Sequence, residues 1–323
     1  MATVDTSTRE FERSFARELR RRRLVQYRHL YLMLIPALLF FLIFKYGPMF
    51  GLVIAFRDYT PRFGMGFLES ILASERVGFG NFIDFFQSRE GPQIIWNSVL
   101  ISAGKLIIGF PMPIILALML NELKNMGFKR VIQTVSYLPH FISWVVLAGV
   151  FRLILSPDFG VLIPVFEFFG MEPINFLGQS QYFRSMLIAT SIWQRVGWGS
   201  IIYLAAITSI DPQLYEAAYM DGATRWQQTW HITLPGIAST IVILLIISTG
   251  TILDAGFDQV FNLLNPAVLS VGQIIDTYVY QVGLRGQQFS FASAVGMFQA
   301  MVGLVLVIVT NFIAKRLGQA SVW

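Results

Sequence analysis

Long apolar stretches alternate with short polar ones along most of the chain. A helix rises ~1.5 Å per residue, so about 20 apolar residues carry it across the ~30 Å hydrocarbon core of a bilayer. Runs of that kind fall at residues 30–56, 97–120, 131–155, 183–207, 236–256 and 291–313. The pattern predicts an all-α polytopic membrane protein with six transmembrane helices in one domain over 30–316. A basic segment, 1–29, precedes that domain, and a short tail, 317–323, follows it. The first run is the least regular, because Lys45, Gly47 and Pro48 interrupt it; it reads as one kinked span ending before Arg57 and Asp58. The connection 208–235 stands apart from the other loops, being long, polar and patterned like a helix.

Composition narrows the class. Of 323 residues, 55% are hydrophobic and 13% charged, against about 25% charged in ordinary soluble domains. The absence of cysteine excludes thiol catalysis, iron–sulfur clusters and thiolate zinc sites, and three histidines are too few for most other metal chemistry. With the N-terminus placed in the cytoplasm, six spans return the C-terminus there. That side then holds fourteen Lys and Arg, including Arg20–Arg23, and the outer side eight, with Lys105 and Arg195 inside spans. Counting acids, the two faces carry +6 and −3, as the positive-inside rule requires. The excess charge is therefore a statement about topology and about anchoring on anionic lipid heads. It does not indicate nucleic acid, and no small-residue cleavage pattern follows Phe44 to make the run a signal peptide.

The connection 208–235 contains two helix signals. Asp211 before Pro212 places a capping carboxylate ahead of proline at the first helical position. Glu216, Ala217 and Ala218 continue the helix, and Gly222 permits a turn. A second short helix from Ala223 carries Trp226 and Trp230 on one face, and Pro235 opens the fifth span. The expected product is a helix–turn–helix elbow on the inner membrane face. An amphipathic connector resting on lipid is the plainer alternative, but such helices carry Lys/Arg-rich polar faces, and this one offers Arg225 alone. A nearly uncharged knob with a protruding carboxylate suits a protein socket better.

The run Glu216-Ala-Ala, three residues, Gly222, nine residues, Ile232, one residue, Leu234-Pro235 resembles the EAA motif of permease subunits in bacterial ATP-binding-cassette importers. Asp221-Gly-Ala, Trp226-Gln227 and Ile232-Thr-Leu-Pro are similar to the carbohydrate branch, the relatives of the maltose permeases. Phe110-Pro-Met-Pro, Asn121-Glu-Leu, Tyr137-Leu-Pro-His-Phe-Ile-Ser-Trp144, Phe257-Asp-Gln-Val-Phe261 and Asp276-Thr-Tyr-Val-Tyr280 resemble a subgroup that handles oligosaccharides and polysaccharide fragments, permeases of alginate importers among them. The resemblance spans roughly Val77 to the C-terminus. It implies a multi-pass protein of the bacterial cytoplasmic (inner) membrane. Its implied partners are a second permease, related but not identical, a cytoplasmic ATPase dimer and an extracytoplasmic solute-binding protein. It also implies that Glu216, Ala217, Ala218, Asp221 and Gly222 form a coupling helix seated in the ATPase.

The chain carries no phosphate-cradling loop. Its one Gly-Lys pair, Gly104-Lys105, is followed by Leu106 and has Val99 where the first loop glycine belongs. No cofactor is therefore expected on this chain, with ATP and magnesium held by the partner ATPase. Charge inside a membrane costs ~2.5–3.5 kcal/mol on insertion scales and defaults to a functional role. Lys105 lies roughly 12 Å deep and Arg195 near the middle of the fourth span, and no Asp or Glu lies within a span interior. Two cations without a carboxylate of their own suit a water-filled cavity that receives an anion, such as a uronate; pairing with a partner chain or with helix carbonyls is the alternative. Trp193, Gln194, Asn97 and Tyr203 are the further cavity candidates, with Trp144, Trp198 and Gln299 behind them. His140 is expected to pack, and Asp254 and Asp258 to face outward. An ion-coupled secondary transporter remains the alternative class, though it would need buried acids and inverted repeats. A neutral-sugar importer is the alternative within the resemblance.

Overall fold

The computed structural model describes residues 26–61, 64–316 and 318, so the run Arg20–Arg23 and all but one residue of the tail lie outside it. The chain divides after Ile54 into two units. The first is helical from Arg28 onward and contributes most of α1 (Arg28–Phe56). Lys45, Gly47 and Pro48 do not break this helix: it widens to a π-turn over Leu42–Tyr46 and resumes at Gly47–Met49. A π-turn absorbs the irregularity that a proline imposes on the ladder ahead of it.

The second unit holds α2 (Gly91–Glu122), the bent pair α3 (Met126–Phe141) and α4 (Trp144–Ile154), and α5 (Ser180–Thr208). The elbow helix α6 (Pro212–Met220) follows, then the bent pair α7 (Arg225–Gly236) and α8 (Ala238–Thr249). Short helices α9 (Phe257–Leu263) and α10 (Ile275–Val279) precede the long α11 (Phe289–Arg316). Among the described residues, three helices are long and apolar enough to cross a membrane, or five if each bent pair is one span. The remaining expected span is α5, with 29 residues. It is long enough, but Arg184, Gln194 and Arg195 leave it less apolar than the others.

Two expected spans are broken. The third bends by 106° between α3 and α4. Pro139 lacks an N–H, the chain tightens into a 3₁₀ turn over Leu138–Phe141, and Ser143 starts α4 as its cap, its hydroxyl accepting from the Val146 N–H at 3.5 Å. The fifth bends by 58° after Pro235-Gly236 and ends at Thr249, short of the expected residue 256. Residues 250–256 are instead an unwound stretch, closed by Gly256 in a left-handed conformation at φ 88°.

Small residues let the helices meet closely, as membrane packing requires. A Cβ at Gly197 of α5 would stand 2.0 Å from the Ser136 carbonyl oxygen of α3, and one at Gly303 of α11 would stand 2.4 Å from that of Gly250. Gly104 of α2 likewise faces the Ile188 side chain of α5. The core beside this α2–α5 contact contains Ile101, Phe183, Leu187, Ala255, Val260 and Ile274. Outside the long helices, Arg57–Asp58 pairs antiparallel with Glu75–Arg76. The buried Arg57 guanidinium donates to the carbonyls of Ile71 at 2.7 Å and Ser74 at 3.1 Å.

Candidate functional site

Lys105 and Arg195 stand on different helices, α2 and α5, and both line one cavity of about 330 Å³. Its other polar walls are Ser102, one helical turn before Lys105, Ser248 near the end of α8, and Thr251, Asp254 and Gly256 of the unwound stretch. Unwinding exposes backbone there. The Lys105 ammonium donates to the Ala255 carbonyl at 2.6 Å and, in a short hydrogen bond, to Oε1 of Gln259. The Asp254 carboxylate accepts the Gly256 N–H at 3.0 Å. The Ser102 hydroxyl is buried without a hydrogen-bond partner. The cavity therefore offers two cations, one carboxylate and an unused hydroxyl.

Asp254 corrects the expectation that the two cations lack a carboxylate of their own: expected to face outward, it is exposed and lines the same cavity as Lys105 and Arg195. It lies on the cavity wall because α8 ends at Thr249, where a helix continued to 256 would carry it differently. Asp258 is exposed in the first turn of α9. The other candidates are placed elsewhere. Asn97 is fully buried: its amide donates to the carbonyls of Ser270 at 3.0 Å and Gln273 at 3.1 Å, and its oxygen accepts from Arg184 at 2.7 Å. It ties α2 and α5 to the 253–290 segment. Tyr203 packs in a core with Ala117, Ile207 and Ile237. Gln194 is buried, and Trp193 is half exposed with its ring edge-on to Phe151. Trp144 is buried, Trp198 stacks on His140 at 4.7 Å, and Gln299 donates to Asp276 at 3.0 Å. Burial raises the Asp276 carboxyl above its ordinary range; the Gln299 hydrogen bond opposes this and Asp254 adds to it.

Ser102, Thr251, Gly256 and Gln259 were not singled out by their sequence. Ser102 had a signal, being three residues from Lys105 on a helix and so on the same face. Gln259 lay within the run Phe257-Asp-Gln-Val-Phe261, but its role depends on how the 253–290 segment folds back. Among the described residues, no group of three or more His, Asp or Glu could hold a metal ion.

The elbow is built as two capped helices. Asp211 accepts the Gln213 N–H at 2.9 Å and Pro212 begins α6. At its end, Gly222 sits at φ 75°, with hydrogen bonds from Ala223 N–H to Ala218 O at 2.9 Å and from Gly222 N–H to Tyr219 O at 3.0 Å. That is the double bond pattern of a Schellman ending, which needs the left-handed residue. Thr224 then caps α7, and Gln227 reaches back to the Thr224 N–H at 2.7 Å. Glu216, Ala217 and Asp221 are exposed and Ala218 is half-buried. Glu216 lines a cleft of about 600 Å³ with Tyr215, Tyr219, Arg225 and Glu122, and the last two form an ion pair at 2.9 Å. Tyr219, Met220 and Trp226 are at least 70% exposed, an apolar surface on a knob with few charges.

Residues 109–321 match the family described as binding-protein-dependent transport system inner membrane component. The chain is 47% identical over 312 residues to the polygalacturonan/rhamnogalacturonan transport system permease protein YteP of Bacillus subtilis, covering 96% of this chain and 95% of that one. It is 44% identical to protein LplB of the same organism, covering 91% of each. Among solved structures it is similar to a chain of a bacterial alginate ABC transporter crystallised with an alginate pentasaccharide-bound periplasmic protein. That match has a TM-score of 0.84 and 41% identity, and it covers 93% of this chain and 99% of that one.

Proposed function

The chain belongs to the family of binding-protein-dependent transport system inner membrane components, and from that membership we propose that it forms half of the pathway by which an ATP-binding-cassette importer takes up acidic oligosaccharides. The observation that carries the reading is the cavity in which Lys105 and Arg195 meet. A uronate carboxylate brings the counter-charge that Asp254 supplies only once for two cations, and Ser102 and Thr251 supply hydroxyls for the sugar. Charge-assisted hydrogen bonds in such a partly desolvated site are stronger than neutral ones. The related permease named for polygalacturonan and rhamnogalacturonan, and the alginate transporter, support the substrate class.

In this reading both termini lie in the cytoplasm, and the protein is a multi-pass component of the bacterial inner membrane. A solute-binding protein delivers the saccharide from outside, and a second permease completes the pathway. A cytoplasmic ATPase pair binds ATP and magnesium and grips the elbow at Glu216 and Gly222. Its closure moves the elbow and turns the cavity from inward-facing to outward-facing. A lever for that purpose has to be short and capped at both ends, which α6 and the start of α7 are.

The test is uptake by membrane vesicles carrying the complete importer. Lys105→Ala and Arg195→Ala are each expected to lower uptake of a galacturonate trisaccharide about tenfold, the loss of one charge-assisted hydrogen bond. Uptake of its carboxyl-reduced, neutral counterpart should change little. Equal losses for both sugars would favour a neutral-sugar importer.

A further inference from the structure

We infer that Gln259 sets the charge preference of the cavity: it holds the Lys105 side-chain nitrogen by a neutral amide, which adds no negative charge beside it and leaves one N–H for an acidic sugar. This rests on the reading of the cavity as an acidic-saccharide site.

An ammonium has three N–H donors and no acceptor. Two from Lys105 go to the Ala255 carbonyl and to Oε1 of Gln259, which leaves one for the cavity. The orientation of the amide follows from its other end. The Gln259 amide nitrogen donates to the Leu187 carbonyl at 2.7 Å and to the Thr190 hydroxyl at 2.8 Å. The Thr190 hydroxyl gives its own hydrogen to the Met186 carbonyl at 2.8 Å, so it accepts from Gln259. A flipped amide would set its oxygen against the Leu187 carbonyl and its NH₂ against an ammonium; the network permits one orientation.

Every member of this chain but Lys105 is buried, with Gln259 2% exposed and Thr190 8%. A carboxylate at position 259 would set a negative charge against Lys105 and neutralise it, and would lose the hydrogen bond donated to the Leu187 carbonyl. An amide holds it and leaves the charge to the ligand. Arg195 and Asp254 are the other charged groups on the cavity wall. They roughly offset each other, so the net attraction for an anion depends on Lys105 staying unpaired.

The experiment is equilibrium binding of the galacturonate trisaccharide and its carboxyl-reduced counterpart to the complete transporter in lipid nanodiscs, without the solute-binding protein. Gln259→Glu is expected to weaken binding of the acidic sugar about tenfold, the same as Lys105→Gln, and to leave the neutral sugar within about twofold. Thr190→Val, which loosens the amide without changing charge, should give a smaller loss confined to the acidic sugar. It stands in for Gln259→Glu if that variant fails to assemble. If Lys105→Gln abolishes the preference for the acidic sugar while Gln259→Glu and Thr190→Val retain it in full, the role of Gln259 is overturned and the cavity reading survives. If Lys105→Gln itself retains the preference, the cavity reading falls.

Discussion

At the scale of single residues, several glycines sit where an added methyl group would meet neighbouring backbone. Gly197→Ala drives a Cβ into the Ser136 carbonyl, which is backbone and cannot rotate away. Overpacking of that kind costs ~1–3 kcal/mol. Gly296 of α11 has nothing within 4 Å of the corresponding point. Thermal unfolding in detergent should therefore show a lowered midpoint for Gly197→Ala and an unchanged one for Gly296→Ala. The charged residues were legible at this scale. Lys105 and Arg195 stood out because an ionised group in hydrocarbon needs a reason. Asn97 and Tyr203 stood out as polar groups in apolar helices, yet the structure uses them for internal bonding and packing. A sequence shows that a buried polar group must be satisfied, and it does not show whether protein or ligand does it.

At the scale of elements, the elbow is the part read most fully in advance, because its signals are local: a cap, a proline, a glycine and a fixed spacing. Thr224→Ala removes the cap of α7 and should cost about 1 kcal/mol of local stability, seen as faster amide exchange over 225–229. Glu216→Lys changes an exposed carboxylate to a cation without touching the core. It should abolish uptake while the protein still inserts and is recovered from membranes in normal amount. Normal uptake by that variant would remove the elbow from the coupling role. The broken spans were not legible, although Pro139 and Pro235 are plain in the sequence. Apolarity summed over a window is blind to direction, and a bend of 106° keeps the same composition as a straight helix. The early end of α8 escaped for a related reason: the Ser248 and Thr249 hydroxyls turn back to helix carbonyls, a choice made by geometry.

At the scale of the whole molecule, the purified chain alone is expected to hydrolyse no ATP, because its sequence carries no phosphate-cradling loop. Turnover measured in a pure preparation by phosphate release would overturn the division of labour with a partner ATPase. The meeting of Lys105 with Arg195 could not be read from either helix alone, since it follows from α2 packing on α5 through Gly104. The helix that carries Lys105 also reaches the elbow, where Glu122 is tied to Arg225. Pro111 and Pro113 lie between those two points, and neither can donate to the carbonyl one turn earlier, at Ile107 and Gly109. The rod thus has a soft joint partway along. A load applied at the elbow end would be taken up first by that joint, letting the arm that bears Glu122 yield before the arm that bears Lys105.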